Sequence, residues 1–126
     1  MPKSLYQEEF EPNGKVPLEG IRVLDLSRLV SGNMVTHVLA DYGAEVVKIE
    51  KPGAGDDLRN WTTDGVSAYW KVYCRNKKSI TLDLRKSRAR SILLRLVEKF
   101  DILVENFKPG TMEKWGLGPE ILQKKN

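Results

Sequence analysis

The sequence predicts an α/β fold, a Rossmann-like parallel sheet of βαβ units. Three observations predict it. Short β-branched and leucine-rich runs recur at Ile21–Leu26, Glu45–Glu50, Ile80–Leu84 and Ile102–Glu105. Segments with apolar residues three to four apart lie between them, around 34–42 and 88–99. Strand, helix and strand then follow one another within about 30 residues, the spacing of a parallel crossover.

Each element has a local justification. Residues 1–17 carry Pro2, Pro12, Asn13-Gly14 and Pro17, which break regular structure, so an extended arm is expected ahead of a unit spanning 18–126. Ile21–Leu26 is the first strand and Ser27–Asn33 a polar connection. Met34, Val35, Val38, Leu39 and Tyr42 mark one face of a helix, with Asn33 placed to cap it and Gly43 to end it. Glu45–Glu50 is the second strand, stopped by Pro52-Gly53, and residues 52–66 read as a long loop. A short helix packed by Tyr69, Trp70 and Tyr73 precedes the third strand, Ile80–Leu84. Ser87 is placed to cap a helix with an apolar face of Ala89, Ile92, Leu93, Leu96, Val97 and Phe100. Ile102–Glu105 is the fourth strand. Short helices are expected at Thr111–Trp115 and Pro119–Lys125, with Pro119 in a first turn. The sequence stops at Lys124-Lys125-Asn126, where a doubly wound sheet would continue, so a longer fold is expected.

Composition excludes several function classes. The 126 residues include one cysteine, Cys74, and one histidine, His37, which rules out an internal disulfide framework and a His- or Cys-rich metal site. No apolar run reaches the ~18 residues of a membrane span. Glu8, Glu9 and Glu11 and the lack of an apolar stretch argue against a leader, so a cytoplasmic protein is expected. The net charge of +4 is unevenly spread: residues 75–95 sum to +7. That stretch suits a polyanion, whether nucleic acid, a phosphorylated cofactor or an acidic surface, or else a solvated helix face.

The first βα turn is Ser27-Arg28-Leu29-Val30-Ser31-Gly32-Asn33, without the glycine fingerprint of dinucleotide binders. Phosphate-loop and nucleophile-elbow patterns are also missing. Glu50 ends the second strand, where a ribose-binding acid would sit, but without the glycines it reads as a solvated strand end. His37 reads as a packing residue and Cys74 as an ordinary thiol, despite Arg75, Lys77 and Lys78 nearby. Arg75–Ser79 and Arg85-Lys86 make both ends of the third strand basic, suited to phosphate oxygens. Pro109-Gly110 gives a turn whose amides can meet an anion. Trp61, Tyr69 and Trp70 can stack on a base or fill the core.

Several blocks together resemble the class III CoA-transferases, which include formyl-CoA, carnitine and bile-acid CoA-transferases. They are Pro17–Ser27 (PLEGIRVLDLS), Leu39–Pro52 (LADYGAEVVKIEKP), Gly53–Arg59 (GAGDDLR) with Trp61, Arg75–Ile80 (RNKKSI), Leu82–Leu84, Val104–Gly110 (VENFKPG) and Trp115–Gly118 (WGLG). The resemblance runs over about 17–126 and implies the N-terminal portion of a larger, interlocked homodimeric fold. It implies acyl-CoA and a carboxylic acid as substrates, with no tightly bound cofactor. Carried over position by position, the CoA contacts fall on Val30, Ser31, Lys51, Leu82, Asp83, Leu84, Arg85, Asn106, Phe107, Lys108 and Lys114.

Ser31-Gly32-Asn33-Met34 departs from the family's Ala-Gly-Pro run, which changes how the helix starts. The family's nucleophilic aspartate has no counterpart among these residues. No catalytic residue is therefore assigned, and 1–126 alone is expected to be inactive. A 2-methylacyl-CoA racemase, working by proton transfer beside the thioester, is the alternative within the superfamily. A basic nucleic-acid-binding domain is the alternative outside it, and an inactive fragment the third.

Overall fold

The computed structural model describes residues 11–126 apart from Asn13, so the proposed 1–17 arm lies largely outside the described residues. The elements in order are β1 (Arg22–Asp25), α1 (Leu29–Asp41), β2 (Glu45–Glu50), a 3-10 turn (Asp57–Asn60), α2 (Ala68–Tyr73), β3 (Lys77–Thr81), α3 (Ser87–Val97), β4 (Ile102–Val104), α4 (Thr111–Lys114) and α5 (Pro119–Gln123). The strands form one parallel sheet in the order β3-β2-β1-β4. The chain builds outward from β1 to β3, then crosses back to lay β4 on the other side of β1. The reversal opens a crevice at the carboxyl ends of β1 and β4, where open α/β sheets take ligands.

Strand side chains alternate between the two faces. Leu24, Leu26 and Ile49 face α3 and join Leu93, Val97, Phe100, Met112 and Leu117 in the larger core cluster. Val23 and Val46 face α1 with Ala40 and Ala44. The next positions on that face, Asp25, Lys48 and Glu50, are polar and buried. This explains how α1 sits. An amphipathic helix ordinarily turns its apolar side inward. Helix α1 instead buries Gly32, Asn33, Thr36, His37 and Ala40, while Met34, Val35, Val38 and Tyr42 are 44–55% exposed. Polar groups on the sheet recruit the polar side of the helix.

Other boundaries differ from expectation for traceable reasons. Helix α1 starts at Leu29, so Asn33 lies a full turn inside it and does not cap it. Gly32 permits the close approach, since a Cβ there would fall 2.2 Å from the Ser27 Cβ. Strand β3 runs Lys77–Thr81 and not Ile80–Leu84, because its pairing is set by Val46–Glu50 of β2. Its position at the sheet edge leaves Ile80 exposed. Ser87 is the first residue of α3, and Lys86 takes the capping position. Gly43 does end α1, with φ of +99°. Helix α3 buries Ala89, Leu93 and Val97 as its spacing predicts. No helix among the described residues is long and apolar enough to cross a membrane.

Candidate functional site

The loops leaving the carboxyl ends of the four strands enclose a cavity of about 280 Å³. Leu26 follows β1, Ile49 lies near the end of β2, Leu82 and Leu84 follow β3, and Phe107 follows β4; with Trp115 they give it apolar walls. Phe107 and Trp115 meet edge to face, with ring centroids 5.3 Å apart. Arg28, Lys51 and Arg85 bring three cations to the same space. An apolar slot edged by cations suits a flat ring that carries phosphate groups.

Each of those cations is held by a neighbouring aspartate. Arg85 donates to both Asp83 oxygens, at 2.8 and 3.0 Å. That contact holds the Asp83 carboxyl below the usual carboxylate range. Arg28 pairs with Asp57, and Lys51 lies 3.9 Å from the same carboxylate. Exposed pairs of this kind are weak and exchange readily for a phosphate.

Of the residues expected to bind CoA, Lys51, Leu82, Asp83, Leu84, Arg85 and Phe107 line this cavity. Val30 and Ser31 lie in the first turn of α1. Asn106 ties that turn to β4: its side chain accepts from the Arg28 N–H and donates to the Arg28 carbonyl, both at 2.8 Å. It also reaches the Ser31 hydroxyl at 3.4 Å. Lys108 lines a separate depression beside α4 and α5, and Lys114 is exposed on α4.

A buried polar network lies beneath the turn. Asp25 Oδ2 is 3.0 Å from Lys77 Nζ and 3.7 Å from Lys48 Nζ, and it accepts from the Thr36 hydroxyl at 2.6 Å. Lys77 also donates to the Asn33 carbonyl and to Thr36. Burial pushes the Lys77 ammonium down, while Asp25 beside it pulls the other way. Lys48 donates to the Ser27 carbonyl at 2.7 Å and pairs with Asp56 at 3.0 Å. Two aspartates and two lysines thus neutralise one another inside, as buried charges require. Asn33, the departure in sequence, is a member of this network.

Three sequence expectations about the site need correction. Glu50 is not a solvated strand end: it is buried, and Arg59 grips both its oxygens at 2.7 Å. The basic run before β3 does not reach the cavity. It lies at the opposite edge of the sheet, where Arg75 pairs with Asp41, Lys78 pairs with Glu45 and Lys77 turns inward. Trp61, Tyr69 and Trp70 neither line the cavity nor fill the core. Trp61 and Tyr69 are exposed, and Trp70 lies under the Arg59 guanidinium at 3.6 Å. Arg28 and Trp115, which the sequence did not assign to a site, also line the cavity. Two expectations hold. His37 packs on Tyr73, and burial pushes the Cys74 thiol up to about 11, consistent with an inert thiol.

The fold has relatives among known proteins. The family model described as CoA-transferase family III matches residues 18–126. A succinyl-CoA–D-citramalate CoA-transferase of Chloroflexus aurantiacus is 47% identical over 113 residues, which cover 87% of this chain and 28% of that protein. An acyl-CoA transferase of Fusarium pseudograminearum is 45% identical over 120 residues, covering 86% and 26%. The crystal structure of an aspartate-to-alanine mutant of Rv3272 from Mycobacterium tuberculosis superposes with a TM-score of 0.87 at 44% identity, covering 90% of this chain and 31% of that one. The chain thus spans under a third of the proteins it matches, and across that span it belongs to CoA-transferase family III.

Proposed function

We propose that these residues form the CoA-binding edge of an enzyme that moves CoA between an acyl-CoA and a carboxylic acid. The observation that carries this is the apolar slot with Arg28, Lys51 and Arg85 beside it, at the carboxyl edge of a parallel sheet. The slot takes the adenine, the cations meet the phosphates, and Val30 and Ser31 approach the pantetheine. Lys108 and Lys114 supply charge farther out.

The chemistry begins when an aspartate attacks the thioester carbonyl, forming a mixed anhydride and releasing CoA thiolate. The thiolate attacks the aspartyl carbonyl of that anhydride, giving an enzyme thioester and freeing the first carboxylate. The second carboxylate attacks the enzyme thioester, forming a second mixed anhydride and releasing the thiolate, which attacks the acyl carbonyl of that anhydride to give the new acyl-CoA and free the aspartate. The family resemblance assigns no counterpart of that nucleophile among residues 1–126, and Asp25 and Asp56 are buried in ion pairs while Asp41 and Asp83 pair with arginines. The longer protein would work as a cytoplasmic homodimer.

The relatives are CoA-transferases, which favours transferase over racemase. The nucleic-acid alternative loses part of its support, because Lys77 of the basic stretch is buried against Asp25, and Arg75 and Lys78 face Asp41 and Glu45. Calorimetric titration with CoA, with CoA lacking its 3′-phosphate and with a single-stranded oligonucleotide tests the proposal. CoA is expected to bind tightest. Tighter oligonucleotide binding, with no effect of the 3′-phosphate, would refute it.

A further inference from the structure

The turn from β1 into α1 contains a backbone conformation that its residue does not favour. Leu29 has φ of +60°, in the left-handed region that suits glycine or asparagine. Its side chain is about one-third exposed, at 37%. The hydrogen bonds around it hold that conformation. Asp56 Oδ1 accepts from the Leu29 N–H at 3.1 Å and from the Leu58 N–H at 2.9 Å. Asp56 Oδ2 accepts from Asn33 Nδ2 at 2.8 Å and faces Lys48 Nζ at 3.0 Å. The same Asn33 amide donates to the Leu29 carbonyl at 2.6 Å. Both polar groups of Leu29 are therefore fixed by one carboxylate, directly or through Asn33.

We infer that Asp56 is a positioning residue, which holds Leu29 in its left-handed conformation and so presents the Val30–Ser31 backbone to the pantetheine arm of CoA. The first-turn amides of a helix have no intrahelical acceptor. Asp56 takes that of Leu29, and those of Val30 and Ser31 belong to the same first turn. Asp56 is itself anchored, since its N–H donates to Glu50 Oε2 at 2.8 Å and Lys48 neutralises its charge. Asparagine cannot replace it. One oxygen serves two backbone donors, and the other position faces two more donors, so an amide nitrogen there would meet Asn33 and Lys48 donor to donor.

The inference rests on the assignment of Val30 and Ser31 to the pantetheine, and the test separates the two claims. CoA and adenosine 3′,5′-bisphosphate, which lacks the pantetheine arm, are titrated against the whole chain and its Asp56→Asn variant. The variant is expected to lose about tenfold in CoA affinity and less than twofold for the bisphosphate. Equal losses for both ligands would make Asp56 merely structural, and no loss would also overturn the inference. Failure of the unaltered chain to bind CoA would overturn the proposed function along with it. Should the variant unfold, the exposed Leu29 decides. Leu29→Asn is expected to keep CoA affinity within twofold. Leu29→Val, whose β-branch resists positive φ, should lose about tenfold for CoA alone. Wild-type CoA binding by Leu29→Val would refute the inference.

Discussion

Replacing Glu50 with glutamine should remove a pH-dependent part of the protein's stability. Burial alone would raise the Glu50 pKa, but hydrogen bonds from Arg59, Ser79 and the Asp56 N–H outweigh it and bring it to about 2. The unfolded value is 4.5. A depressed carboxylate stabilises the fold above its unfolded pKa, and that contribution fades as pH falls toward the folded pKa. At 1.36 kcal/mol per unit, the shift corresponds to about 3 kcal/mol at pH 7 and about 1 kcal/mol at pH 3. Glutamine resembles the protonated acid, so Glu50→Gln should be less stable by about 3 kcal/mol at pH 7, with the gap nearly closed at pH 2. Urea unfolding curves at pH 7, 5, 4 and 3, followed by far-ultraviolet circular dichroism, measure it. A gap that stays constant from pH 7 to pH 3 would refute the electrostatic account and leave only packing.

Three further outcomes follow from other contacts. Arg85→Ala should weaken CoA binding about tenfold, the worth of one charge-assisted contact, and flatten its salt dependence, both read by calorimetry. Lys77→Met should destabilise the fold by about 3–5 kcal/mol, because the only cation left to Asp25 would be Lys48, at the longer distance; Lys78→Ala, in an exposed pair, should change it by less than about 1 kcal/mol in the same denaturation assay. Cys74 should react with iodoacetamide at pH 8 on the order of a hundredfold more slowly than a free cysteine, since burial holds its thiol protonated; mass-spectrometric time courses report the rate.

Strands β1, β2 and β4 and helix α3 were legible in sequence, and the burial of α3 follows its local periodicity. Ala89, Leu93 and Val97 repeat every four residues, and they are the buried face. Helix α1 defeated the same logic. Its apolar residues point outward because Asp25, Lys48 and Lys77, from three different strands, offer charges that only a polar helix face can satisfy. No spacing within 29–41 contains that information, since it depends on which strands become neighbours. Of the site, Leu82–Arg85 and Phe107 were marked by the family resemblance, and Leu82–Leu84, read as part of the third strand, follow it in the structure. Charge density misled, because counting Arg75, Lys77 and Lys78 as available ignored the carboxylates facing them across the fold. Glu50 was missed for the complementary reason, its partner Arg59 lying across a loop whose course the sequence does not reveal.

The Asp25–Lys77 contact spans 52 positions along the chain. During synthesis, β1, α1 and β2 leave the ribosome well before Lys77 does. Until Lys77 emerges, Asp25 has Lys48 as its cation within the growing chain, at the longer distance. Closing α1 onto the sheet at that stage would bury a charge imperfectly matched, which opposes early consolidation. Arrival of β3 delivers Lys77 and Ser79 together, to Asp25 and Glu50 respectively. The last strand on that side therefore acts as a molecular clasp, making completion of the half-sheet a cooperative event in place of a strand-by-strand accretion.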